Sequence, residues 1–398
     1  MVLSMVWMGF FVMHWLCDEE PMSRIRNALL RAEHHLDTWK HANRDYDKPI
    51  FVDAYEGHGA DGSVLMRGRV LANLPIRTEA DQGMLMNIRD MLRRYASDEV
   101  PYAKLDLSLP ERTISLETDR DGYYSTEFSW KHDAPSEGSI WHDVTIELCS
   151  PTGKKQEDAR FTAPFQYPDE RAQLAVICDI DDTVIQTGAQ HLWTHANSVL
   201  TNNPYTRKVF AGMPQFLQGL VQRDGEVVNP MFFLSSSPWN LHRFFQKTFE
   251  IHQVPRGTFF LKDFGLEEDH YFKSGHGQHK SEHARMLMKT YPDLKFVLIG
   301  DSGQQDMEIY EDVIRESPDR IAACYIRDVT GYGRGKKITE KFRQLERDCG
   351  VSVGVFCYDS VHMATHASLH GLLDEGCLEE VERVARAERF SQLEDALL

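Results

Sequence analysis

Leu174-Ala-Val-Ile-Cys178 runs without a break into Asp179-Ile180-Asp181-Asp182-Thr183. Five consecutive apolar residues followed by three acids in four positions decide the fold. A strand that is apolar at every position is buried on both faces, which happens in parallel sheets covered by helices on each side. The same grammar repeats downstream. Apolar strands are predicted at Met231–Leu234, Thr258–Leu261, Phe296–Ile299 and Ile321–Ile326, with a later one near Val351–Cys357, and helices at Pro238–Phe249, Ser281–Tyr291 and Gln304–Ser317. Residues 169–375 therefore read as an α/β domain with a parallel sheet and helices on both faces, followed by a C-terminal helix over 376–398. Ligands of such sheets sit beyond the carboxyl ends of the strands, so the acids after Cys178 are placed where chemistry happens.

Upstream the period changes. Over 48–168 short alternating or β-branched runs recur: Ile50–Ala54, Val64–Leu71, Tyr102–Leu109, Thr113–Glu117, Tyr123–Trp130, Trp141–Leu148 and Ala159–Phe165. They are punctuated by Asp61-Gly62 and Asp121-Gly122 and interrupted by a helical stretch near Met84–Tyr95, the pattern of a β-sandwich-like domain. It carries no catalytic constellation and is expected to be a structural or targeting module. Residues 22–47 read as an amphipathic helix, with Ile25, Leu29, Leu36 and Trp39 on one face and Arg24, Arg26 and Arg31 elsewhere. Residues 1–21 begin with the apolar run Met1–Cys17, too short to cross a bilayer upright, which takes about 20 residues. It could be a weak anchor, a poor signal or an untranslated stretch. No basic residue precedes it and no small-residue cleavage site follows, which favours translation starting at Met22.

Composition narrows the function classes. Forty-two per cent hydrophobic and 26% charged residues are an ordinary globular balance over 398 residues. Acids exceed bases by 61 to 44, a net charge of −17, and no basic block stands apart. A binder of phosphate backbones needs a basic face, so no nucleic-acid partner is expected. Seven scattered cysteines without a Cys-x-x-Cys pair argue against a disulfide framework or zinc ribbon and for a reducing compartment; the expected setting is cytoplasmic, peripheral to a membrane at most, with no integral span.

A second acidic cluster ends another apolar strand: Phe296-Val-Leu-Ile leads into Gly300-Asp301-Ser302, with Asp306 five residues beyond Asp301. Acids at two buried strand ends repel one another and lose hydration, a cost a fold tolerates when a hard cation or a reaction uses the oxygens. Ser235-Ser236-Ser237 at a third strand end and Lys280 near a helix start complete a set suited to phosphoryl transfer. A carboxylate can attack phosphorus if metal and lysine screen the charge, and a second acid can protonate the leaving alkoxide.

Asp179-x-Asp181-x-Thr183, Ser235, Lys280 and Gly300-Asp301-Ser302 with Asp306 resemble the four motifs of haloacid-dehalogenase-like phosphatases. Asp-Ile-Asp-Asp-Thr-Val, Ser-Ser-Ser-Pro-Trp-Asn, Gly-Gln-His-Lys-Ser-Glu and Phe-Val-Leu-Ile-Gly-Asp-Ser-Gly-Gln-Gln-Asp are more similar still to the phosphatidate phosphatase catalytic domains named for the yeast actin-patch protein, relatives of the lipins. The resemblance covers about 170–370 and implies a haloacid-dehalogenase-like sheet. By that resemblance Asp179 is the nucleophile and Asp181 the general acid and base, its carbonyl also meeting Mg²⁺. Asp301 completes the metal site with Asp179, and Asp306 supports it. Lys280 neutralises phosphoryl charge, Thr183 orients the loop and Ser235 binds phosphate. Ser235 directly follows the apolar strand, whereas Ser237 before Pro238 looks like a helix cap. Lipins usually carry Gly where this chain has Asp182; the actin-patch branch carries Asp.

About 45 residues between Thr183 and the second strand, and fewer than 40 between Ser235 and Gly275, leave no room for a lid domain. A capless site suits a phosphorylated lipid presented at a membrane surface. The expected function is a Mg²⁺-dependent phosphatidate phosphatase working through an aspartyl phosphate; the alternatives are another phosphomonoester or a non-catalytic lipid- or protein-binding module. Cys178, lying in the strand, is expected to face the core rather than act as a thiolate. His276, His279 and His283 have a zinc-like spacing, but no thiolate accompanies them and only some are in helical phase. His362, His366 and His370 share one helical face, but a metal there would still need a fourth ligand, so packing or solvation is the expected role. Trp239, Phe244 and Phe245 are expected in the core rather than on acyl chains.

Overall fold

A computed structural model describes residues 46–72, 99–131, 139–154, 156–186, 208–223, 225–262, 276–330 and 332–397. The apolar run at the amino terminus, the expected helix ahead of Tyr46, the helical stretch Met84–Tyr95 and a part of each segment expected to lack a lid, 187–207 and 263–275, lie outside the described residues.

The β-rich part holds β1 (Phe51–Ala54), β2 (Gly57–Ala60), β3 (Ser63–Leu71), β4 (Lys104–Ser108), β5 (Thr113–Glu117), β6 (Tyr123–Ser129), β7 (Trp141–Ser150) and β8 (Arg160–Gln166). Seven were legible. The eighth, β2, reads Gly-His-Gly-Ala and looks like a turn. It is a strand because its glycines let two neighbours close in: a Cβ on Gly59 would lie 2.4 Å from the Ser63 carbonyl, and one on Gly57 2.8 Å from that of Leu65. Because β2 pairs with β3 on one side and β8 on the other, the strands form one continuous eight-stranded sheet, not the two separate sheets of a sandwich. Alternate residues such as Val64, Met66, Leu105, Leu107, Phe128, Ile146 and Phe165 fill its core.

The second sheet has six strands in the order β13 (Thr258–Lys262), β12 (Met231–Pro238), β9 (Leu174–Cys178), β14 (Lys295–Asp301), β15 (Ile321–Arg327), β16 (Gly354–Cys357), and every pairing is parallel. A minimal hairpin, β10 (Gln222–Arg223) and β11 (Glu226–Val227), stands apart. Side chains alternate between two cores. Val176, Cys178, Phe233, Val297 and Ile299 face helices α1 (Met213–Val221), α2 (His242–Ile251), α6 (Ser360–Leu369) and α7 (Glu375–Leu397). Ile177, Phe232, Leu234, Phe296 and Leu298 face α3 (His276–Thr290), α4 (Asp306–Glu316) and α5 (Tyr332–Cys349). Cys178, Trp239, Phe244 and Phe245 are core residues. The chain steps from β9 outward to β13 and then returns to β14 on the other side of β9. The sheet's switch point therefore lies between β9 and β14, where Asp179 and Asp301 emerge.

The two parts are fastened together. Gln166 donates to the Met231 carbonyl at 2.8 Å and accepts from its N–H at 3.0 Å, and Thr258 donates to the Gly57 carbonyl. Tyr55 stacks on Trp239 with ring centroids 4.0 Å apart. His242 on α2 is fully buried between Glu56, 2.9 Å from its Nε2, and Asp53, 3.5 Å from its Nδ1. Burial opposes the imidazolium, but the two carboxylates overcome it and push the pKa up from 6.5 to about 9. A raised folded pKa contributes stability that is fully present below pH 6.5 and lost as pH rises through about 9. About 3 kcal/mol of unfolding free energy is expected to go across that window. Denaturant titrations at stepped pH measure it, and the slope should flatten in His242→Gln.

Candidate active site

The carboxyl ends of β9, β12 and β14 and the first turns of α3 and α4 surround one crevice. Asp179 leaves β9 fully buried, and Lys280, inside α3, places its Nζ 2.7 Å from Asp179 Oδ1 and 2.6 Å from Asp306 Oδ1. Asp306 opens α4, and its Oδ2 accepts from the Asp301 N–H at 3.1 Å. Gly300 makes that approach possible, since a Cβ there would sit 2.6 Å from Asp306 Oδ2. Asp301 Oδ1 takes the N–H groups of Gly303, at 2.5 Å, and Gln304, at 3.0 Å.

Two buried oxygens are left over. Among the described residues, Asp179 Oδ2 and Asp301 Oδ2 have no hydrogen-bond partner, and ligand oxygens of Asp179, Asp301 and Asp306 all lie within 4.8 Å of one another. Unpaired carboxylate oxygens in a dry site are costly, and converging hard donors are what a small divalent cation takes. This trio fits such an ion. Burial, reinforced by Asp306, pushes the Asp301 pKa up to about 7. Burial also raises Asp179 well above the carboxylate range, against the pull of Lys280 and with the push of Asp306, Asp301 and Asp181. Lys280 is held charged because Asp179 and Asp306 outweigh its burial.

Asp181 stands apart from that trio. Its Oδ2 accepts from the hydroxyls of Ser235 and Ser237, both at 2.9 Å, and its carbonyl accepts from Gln304 Nε2 at 3.3 Å. Ser237 is thus no helix cap: β12 extends through Pro238, and the short 3₁₀ turn Trp239–Leu241 has no side-chain cap. Ser235 receives the Ser237 N–H and orients Asp181. Thr183 is buried; its carbonyl accepts from Arg327 Nε at 3.1 Å. Asp182 has φ +59°, the left-handed region that Gly enters freely and Asp tolerates, which is why either residue suits this turn.

Gln304 and Arg327 went unread in the sequence. Arg327 is fully buried at the end of β15, also donating to Ser360 Oγ at 2.9 Å. The signal was available: a charged residue ending an apolar strand, as with Asp179 and Asp301. The histidines hold no ion-binding group among the described residues. His283 Nδ1 lies 2.9 Å from the His279 carbonyl, and His366 bonds Tyr325 and stacks on His370. The side chain of His276 lies outside the described residues.

Residues 174–328 match the family model described as the catalytic domain of phosphatidate phosphatase APP1. This stretch is similar to phosphatidate phosphatase catalytic domains. The phosphatidate phosphatase match begins with β9 and ends one residue after β15, so it contains every acid of the crevice. The chain is 27% identical over 197 residues, 48% of its own length, to Phosphatidate phosphatase APP1 of Saccharomyces cerevisiae, of which it covers 31%. It is equally similar, 27% over 179 residues and 44% of its length, to an uncharacterized protein of Schizosaccharomyces pombe, of which it covers 29%. The chain spans less than a third of either relative. A solved structure from Porphyromonas gingivalis W83, of unknown function, aligns at 13% identity and a TM-score of 0.16 over 35% of this chain and 61% of that one, a likeness too slight to carry weight.

Proposed function

We propose that this protein hydrolyses a phosphomonoester through an aspartyl phosphate in the manner of haloacid-dehalogenase-like phosphatases, and that its substrate is phosphatidate or a closely related lipid phosphate at a membrane surface. The observation that carries the chemistry is the pair of buried, unpartnered oxygens on Asp179 and Asp301, set on neighbouring strands with Lys280 between Asp179 and Asp306. Lipid as substrate is supported by the family match and by the yeast relative's name. Among the described residues no helix is long and apolar enough to cross a membrane.

The Asp179 carboxylate attacks phosphorus, forming an O–P bond as the bond to the lipid oxygen breaks. Asp181, held toward the crevice by Ser235 and Ser237, gives its proton to the departing alkoxide. Water then attacks phosphorus while Asp181 takes back a proton, releasing phosphate and the free Asp179 carboxylate. Lys280 offsets negative charge on Asp179 throughout. A Mg²⁺ ion held by Asp179, Asp301 and, through its support, Asp306 would screen phosphoryl charge from the attacking carboxylate.

A panel of phosphorylated substrates with Mg²⁺ tests the reading. Release of phosphate from both p-nitrophenyl phosphate and phosphatidate vesicles is expected. Hydrolysis of the first alone would assign another phosphomonoester, and hydrolysis of neither would leave a binding module.

A further inference from the structure

The carboxyl edge of the parallel sheet continues sideways from the crevice to an exposed rim. Asp301 is in register with Arg327, and Arg327 with Cys357, so Tyr358 begins two strands over, about 10 Å from Asp301 at the usual strand spacing. Tyr358 is 72% exposed, one of three large hydrophobic side chains so open to water among the described residues. Beside it lies the first turn of α5. Gly335 packs on Phe356, whose ring would be 2.5 Å from a Cβ there, and the Phe356 and Tyr358 rings are 6.0 Å apart. Lys336 and Lys337 on this turn are exposed, and neither has an ion-pair partner among the described residues. Arg334 ties the turn to the crevice by donating to the Gln304 carbonyl. On the other flank Arg389 holds Asp359 at 2.6 Å, and the next residue, Phe390, is 62% exposed. The third exposed residue, Leu369, ends α6, which runs from the rim to its far end, and has no part in the patch.

Lys336 and Lys337 are adjacent exposed lysines at the carboxyl edge of the sheet, on a chain of net charge −17. An aromatic ring with a polar tip, reached from Gly335 through Phe356, completes the composition of an interfacial anchor. We infer that Lys336, Lys337 and Tyr358 form a docking surface for an anionic phospholipid bilayer, which sets the mouth of the crevice against the lipid headgroups. The inference rests on the lipid reading of the substrate for its purpose but not for its test. The net negative charge of the molecule is repelled by an anionic leaflet, so a basic rim orients the approach as well as holding it. The strand-end acids then face the membrane, and a lipid phosphate reaches Asp179 without leaving the bilayer.

The full chain is to be sedimented with phosphatidylcholine vesicles with and without phosphatidylserine, and compared with the double variant K336E/K337E and with Tyr358→Ser. Each lysine near an anionic leaflet is worth about fivefold in affinity, so the double variant should bind anionic vesicles at least about tenfold more weakly. The parent's binding should fall with added salt. Hydrolysis of p-nitrophenyl phosphate should stay unchanged in both variants, which shows that they are folded. Failure of the parent to bind anionic vesicles overturns the inference. So does equal binding by the double variant, which would leave the lysines to an acidic protein instead. Vesicle binding that is lost in the double variant, by a chain that never hydrolyses phosphatidate, would sink the substrate reading and leave this surface standing.

Discussion

Asp179→Asn is expected to abolish phosphate release, by a factor of at least about a thousand, equivalent to about 4 kcal/mol of transition-state stabilisation. The amide keeps the shape of the side chain but cannot attack phosphorus and hold it as an acyl phosphate. The substitution is clean for a structural reason. Lys280 retains Asp306 at 2.6 Å when its bond to Asp179 is weakened, so no unpaired buried cation is left behind. It also removes a group whose charged form is opposed first by burial and then by Asp306, Asp301 and Asp181. The melting temperature of the metal-free chain should therefore hold or rise while activity disappears, a pairing that marks a functional group kept at the expense of stability. Steady-state rates with p-nitrophenyl phosphate and thermal unfolding measured on the same preparation check both halves. Retained turnover would remove covalent catalysis by this residue.

Asp301→Ala is expected to lower the rate at least about a hundredfold and to weaken the response to Mg²⁺ in the same step. The unpaired Asp301 Oδ2 offers a ligand oxygen, and its other oxygen is already committed to the Gly303 and Gln304 N–H groups. Removing the side chain deletes the donor and loosens the loop that carries Gln304 to the Asp181 carbonyl. A readout independent of turnover is available. An ion that binds only the folded chain stabilises it, by about 2.7 kcal/mol at a concentration one hundred times its dissociation constant. Mg²⁺ should accordingly raise the melting temperature of the parent and not that of Asp301→Ala. An unchanged Mg²⁺ shift in the variant would remove Asp301 from the ligand set.

Much of this was legible because buried strands leave a strong trace. Leu174–Cys178 and Thr113–Glu117 appear with the bounds read from their residues, and the other strands recognised differ by a few positions at most. Continuous apolarity and strict alternation are each enforced by burial, so they survive without any knowledge of neighbours. Helices α1 and α5, strand β2 and the β10–β11 hairpin were missed, and α6 was read only as the helical face shared by His362, His366 and His370. Gly57 and Gly59 look like turn residues until the carbonyls of Leu65 and Ser63 are seen pressing on them, and α5 opens with Tyr332-Gly-Arg-Gly-Lys-Lys, a polar run with no apolar face at its start.

The strand-end acids, the parallel grammar and the four motifs were contained in the chain's own order of residues, because a charged group that ends an apolar strand is visible one position at a time. What needed the folded molecule was division of labour among groups that were already named. Only through space does Asp181 turn to Ser235 and Ser237 while Asp179 turns to Lys280, and only there does Arg327 reach the Thr183 carbonyl across 144 positions. Hydrogen bonds act over about 3 Å, whereas sequence spacing reports neighbours along one backbone. The partners of a buried polar atom are therefore set by how the strands are ordered in the sheet.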